Sequence, residues 1–110
     1  IIGIMKDKPS GEILRILSSF ADHFILVRPN QERSEDPERL KHIMNMHKVS
    51  CEVIESVPNA IKKVKKILRP DDLACITGSI FTVGEAKKYF KNESNFKTNL
   101  SPSTGNNLNW

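Results

Sequence analysis

Asp71-Asp72-Leu73-Ala74-Cys75-Ile76-Thr77-Gly78-Ser79-Ile80-Phe81-Thr82-Val83-Gly84-Glu85 reads as a short buried strand that ends in a Thr-Gly-Ser turn and passes straight into a helix. Gly78 makes the turn and Ser79 stands as the helix N-cap. The junction sets a hydroxyl and free backbone N–H groups at a helix N-terminus. There the unsatisfied donors and the helix dipole stabilise a carboxylate or a phosphate. Thr-Gly-Ser is a short motif, so the plain reading, a cap and a turn, stands beside the functional one.

Three upstream runs repeat the pattern: Ile1 to Met5, Phe24 to Val27 and Cys51 to Ile54. Each leads into a segment with helical spacing. Ser10 caps the first helix, whose buried stripe is Ile13, Leu14, Ile16, Leu17 and Phe20. Asp36 and Pro37 start the second, with Leu40, Ile43, Met44 and His47 on its inner face. Val57, Ala60, Ile61, Val64, Ile67 and Leu68 mark the third, and Ile80, Val83, Tyr89 and Phe90 the fourth. Short buried strands alternating with amphipathic helices predict an open α/β domain, its mainly parallel sheet covered by helices on both faces through right-handed crossovers. The chain opens with Ile1-Ile2 inside a strand and without Met, which reads as an N-terminally truncated domain. From about Asn92 the helical pattern stops, so residues 1–91 are expected to form the domain. Residues 92–110, rich in Asn, Ser, Thr and Pro, are expected to form a polar, disordered tail.

A chain of 110 residues holds one domain with a modest core. Its formal net charge is only +4, and Lys62, Lys63, Lys65 and Lys66 read as a solvated helix face, without the aromatic platform that nucleic-acid binding calls for. Cys51 and Cys75, each inside an apolar run, read as buried free thiols, structural in role. His23, His42 and His47 show no metal-ligand spacing with the cysteines, so no metal site is expected. No apolar stretch approaches the roughly 20 residues of a membrane helix and no signal peptide is visible, which predicts a cytoplasmic protein. No phosphate loop, catalytic triad or paired-carboxylate motif is present, so no catalytic residue is assigned and the chain carries no complete active site.

In an open parallel sheet, ligands bind beyond the carboxyl ends of the strands. Lys6-Asp7-Lys8, Arg28-Pro29-Asn30 with Arg33, and Thr77-Gly78-Ser79 all fall at that edge. Together they suit a small anionic ligand such as an amino acid or a phosphate. The bland reading of each is also open: solvated loop charges, and Arg28 and Arg33 paired with Glu32, Glu35 or Asp36.

The ordered set Gly3-Ile4-Met5-Lys6-Asp7-Lys8, Arg28-Pro29 with Arg33 and Pro37, Asp71-Asp72, and Thr77-Gly78-Ser79 with Val83-Gly84-Glu85 resembles the folylpolyglutamate synthase/dihydrofolate synthase family. More broadly it resembles the C-terminal domain of the Mur ligases, and the likeness runs from residue 1 to about residue 91. The resemblance implies a Rossmann-like domain of an ATP-dependent ligase. ATP with Mg2+ phosphorylates a carboxylate of the folate or dihydropteroate substrate, and the amino group of L-glutamate attacks the acyl phosphate. It implies that Ser79 helps to hold glutamate, with Thr77 and Gly78 shaping the turn and Lys8 meeting a carboxylate. Lys6, Asp7 and Arg33 are further ligand-edge residues, Arg33 without an assigned role.

Pro9 stands where the family pattern has an acidic residue. The family's phosphate loop and central domain, and the Asp-Gly-Ala-His-Asn-Pro stretch that opens its C-terminal domain, are absent from this sequence. ATP and Mg2+ would be bound mainly by an N-terminal domain of the parent chain, this chain alone would be inactive, and a monomer is expected. Two other readings stay open: a free-standing binding module for a small anionic ligand, and a degenerate, non-catalytic relative.

Overall fold

The computed structural model describes residues 1–96. Of the tail expected over residues 92–110, residues 97–110 lie outside the described residues. Strands β1 (His23–Leu26) and β2 (Ser50–Val53) pair in parallel, Phe24 opposite Cys51 and Leu26 opposite Val53. Residues 1–5 lie along the other side of β1, where the Ile2 N–H donates to Ile25 O at 2.9 Å and the Val27 N–H to Ile2 O at 3.0 Å. Residues 75–77 follow on the far side of these: the Thr77 N–H donates to Ile1 O at 3.0 Å and the Gly3 N–H to Thr77 O at 3.3 Å. Ile2 therefore bridges in parallel to both Leu26 and Thr77. The order across the sheet is β2, β1, residues 1–5, residues 75–77. The chain steps twice to one side of its opening segment, then returns to the other, and that reversal is the switch point of a doubly wound sheet.

Helices cover both faces, as the alternation within β1 requires. Phe24 and Leu26 join Ile2 and Ile4 against Leu14 of α1 (Ser10–Leu17) and Leu40 and Met44 of α2 (Pro37–Met46). Ile25 and Val27 face the opposite way, onto Val57, Ala60 and Ile61 of α3 (Val57–Ile67) and Ala86 of α4 (Ile80–Phe96). A parallel strand buried on both sides is apolar throughout, and Phe24 to Val27 is. Asp36 caps α2 by accepting from the Glu38 N–H at 2.9 Å. Ser56 caps α3 by accepting from the Asn59 N–H at 3.3 Å.

Several expectations need correcting. Ser10 does not cap α1. The turn from Met5 to Lys8 closes one residue early, the first helical bond runs from the Ile13 N–H to Pro9 O, and Ser10 is the first helical residue. Ile16 and Phe20 leave the buried stripe of α1, at 47% and 79% exposed, and Ile80 at the start of α4 is 81% exposed. The Ser18 and Ser19 hydroxyls donate to Arg15 O and Ile16 O, local bonds that compete with helix continuation and end α1 at Leu17. His47 is exposed at the C-cap of α2, next to Lys48 with φ 56°. Cys75 is exposed and Leu73 is 93% exposed, so this run is not a buried strand. The Ile1 amino group donates to Cys75 O at 2.8 Å. Finally, α4 continues past Asn92 to Phe96. Lys65 of α3 forms an ion pair with Glu93, which ties the later turns of α4 to its neighbour.

Candidate functional site

The carboxyl end of residues 1–5 and the start of α4 meet through two glycines. A Cβ on Gly78 would stand 2.3 Å from Gly3 O, and Gly78 holds φ +111°, where side chains are strained. A Cβ on Gly3 would lie 2.7 Å from Thr82 Oγ1 and 2.8 Å from Pro29 Cδ. Only hydrogen fits at either position, and this lets the first turn of α4 sit directly on the opening segment.

Ser79 caps α4. Its Oγ accepts from the Thr82 N–H at 3.0 Å and lies 2.9 Å from Thr82 Oγ1. Thr82 is fully buried, and its hydroxyl donates to Gly3 O at 2.9 Å. The main-chain N–H groups of Gly78, Ser79, Ile80 and Phe81 have no hydrogen-bond partner among the described residues. They stand at the positive end of the α4 dipole. A shallow depression of ≈ 480 Å3 opens beside them, lined by Thr77, Gly78, Ser79, Ile80, Val83 and Lys87, among others.

The second cluster forms around the loop after residue 5. Met5 bridges antiparallel to Ser34, and the Lys6 N–H donates to Arg33 O at 2.6 Å. This brings Asp7 to Arg33, carboxylate to guanidinium at 3.9 Å with both side chains exposed, a contact worth about 0–1 kcal/mol. Arg33 thus pairs with Asp7, and Glu35 instead takes Arg39 at 2.9 Å. The side chains of Lys6 and Lys8 are exposed and carry no ion pair among the described residues. Lys8 shares the carboxyl-end edge with Ser79 but makes no hydrogen bond to it and does not line the depression.

Two residues of this edge have a place in the structure that the sequence does not assign. One is Thr82, the buried partner of Ser79. The other is Glu85, whose Oε2 accepts from the Asn30 N–H at 2.6 Å and ties α4 to the loop after β1. Spacing is their signal: 79, 82 and 85 recur at about one helical turn, and position 82 is the N3 site, whose backbone N–H an N-cap serine bonds.

A family model described as "Mur ligase, glutamate ligase domain" matches residues 1–80. The chain belongs to the Mur ligase C-terminal domain family. The match takes in the opening segment, Lys6 to Lys8, Arg33 and the Thr77-Gly78-Ser79 turn. A protein of Haloferax volcanii described as "Probable bifunctional folylpolyglutamate synthase/dihydropteroate synthase" is 28% identical over 88 residues, which is 79% of this chain and 10% of that protein. The chain therefore spans about a tenth of the length of that curated relative, at 10%. No solved structure matches the chain. The α/β architecture and the ligase-family membership expected from the sequence are both found.

Proposed function

We propose that this Mur ligase C-terminal domain is the glutamate-side domain of an ATP-dependent ligase that adds L-glutamate to folate or dihydropteroate through an acyl phosphate. The family description and the name of the Haloferax relative support that substrate class. The single observation that carries it is the row of unpartnered N–H groups from Gly78 to Phe81 at the start of α4. These groups suit a carboxylate. Ser79 and the Thr77-Gly78 turn hold the amino acid there, and Lys8 supplies a mobile point charge for its second carboxylate. Lys6, Asp7 and Arg33 shape the loop that carries Lys8.

ATP with Mg2+ would supply the phosphoryl group that turns a carboxyl oxygen into a leaving group. No three His, Cys, Asp or Glu side chains come together among the described residues, and the sequence holds no phosphate loop. In this reading both are held by an N-terminal ATP-binding domain, with which this domain closes to position the amine and exclude water. The enzyme would act as a cytoplasmic monomer. No helix among the described residues is long and apolar enough to cross a membrane.

The test is Ser79→Ala in the full-length enzyme. Loss of a hydrogen bond to a charged ligand group is worth about 1.5–3 kcal/mol, so the KM for glutamate should rise about tenfold or more while that for ATP holds. An unchanged glutamate KM would remove Ser79 from the site.

A further inference from the structure

We infer that Thr82 is a positioning residue that fixes the Ser79 hydroxyl as a hydrogen-bond acceptor towards the ligand, so that Ser79 reads the amino group of the amino acid and leaves its carboxylates to other groups. The inference rests on the reading above, in which Ser79 touches glutamate. It follows from counting protons along a chain of hydrogen bonds. Gly3 O accepts only, so in its 2.9 Å contact Thr82 Oγ1 is the donor and its one proton is spent. The 2.9 Å contact between the two hydroxyls then has Ser79 as donor, and its one proton is spent as well. The same Ser79 oxygen accepts from the Thr82 N–H at 3.0 Å.

One lone pair is left on Ser79 and no proton. A carboxylate has nothing to donate to it, whereas an ammonium or amine does. The chain is anchored where it cannot drift. Thr82 is fully buried, and Gly3 has no room for a side chain between Thr82 and Pro29. Thr82 also joins the two segments of the switch point, so the direction of the Ser79 hydroxyl is set by the same contact that docks α4.

The test is a set of variants in the full-length enzyme. Thr82→Val keeps the shape and removes the hydroxyl, which frees the Ser79 proton. The expected result is a glutamate KM raised about tenfold, from an interaction of about 1.4 kcal/mol within the range of a single hydrogen bond. The ATP KM should not change. Inhibition by glutarate, which keeps both carboxylates but lacks the amino group, should also be unmoved. Thr82→Ser should restore the glutamate KM, and adding Thr82→Val to Ser79→Ala should cause no further rise, because the two act as one unit.

If Ser79→Ala raises the glutamate KM and Thr82→Val does not, the positioning role is overturned and the glutamate site stands. A Thr82→Val defect that falls equally on glutamate, ATP and glutarate, or that Thr82→Ser fails to repair, shows a packing role and also overturns it. If Ser79→Ala itself is silent, the glutamate reading fails and the inference fails with it.

Discussion

Gly78 is the position where this architecture tolerates least. A methyl there would meet a backbone oxygen, and the backbone would have to hold a positive φ as well. Each defect alone costs about 1–3 kcal/mol, so Gly78→Ala should destabilise the fold by about 3 kcal/mol or more in urea melts. A loss under about 1 kcal/mol would mean that the two segments separate easily. The cysteines give a second check on single residues. Cys51 is half-buried, burial pushes its thiol pKa up against the opposing pull of Lys41, and Cys75 is exposed. A raised pKa leaves less thiolate at a given pH, so a maleimide at pH 7 should label Cys75 well before Cys51. Equal rates would contradict the exposed placement of Cys75. That exposure was not legible in the sequence, because Leu73 to Ile76 has the composition of a buried strand. Burial there depends on what lies alongside, which no local pattern encodes.

The helices show where local chemistry was enough. Asp36-Pro37 announced α2, and the structure has Asp36 accepting from Glu38 N–H with Pro37 opening the helix. In the third helix Val57, Ala60 and Ile61 are buried at their expected spacing, whereas Ile67 and Leu68 at its end are exposed. Ser56→Ala should cost about 1 kcal/mol, since it removes the one side-chain acceptor at the start of α3. Thermal melts that show no change would mean water substitutes fully for the cap. Helix ends were read less well. Two serine hydroxyls stop α1 before Phe20, and an ion pair from α3 accompanies α4 past Asn92. Both depend on contacts that periodicity does not report. The same limit hid Thr82, which looks like an ordinary polar helix residue until Gly3 is found beneath it.

The arrangement of the sheet explains why the edge is where it is. Residues 1–5 and 75–77 lie side by side at the reversal, and their following loops carry Lys8 and the Thr77-Gly78-Ser79 turn. The sequence order of motifs was sufficient to place both loops at one end of a parallel sheet. It did not settle whether Lys8 and Ser79 meet, and no hydrogen bond joins them in the structure. Lys8 is expected to act on a ligand only when a second domain closes over the edge. Lys8→Ala should accordingly leave thermal stability unchanged while weakening glutamate use in the intact enzyme, and a lowered melting temperature would mark Lys8 as structural instead. The most direct measurement is glutamate-dependent ADP release by the full-length protein with a reduced folate or dihydropteroate as acceptor. The account predicts release that requires glutamate and acceptor together; a folded, ATP-binding protein whose ADP release ignores glutamate would contradict it.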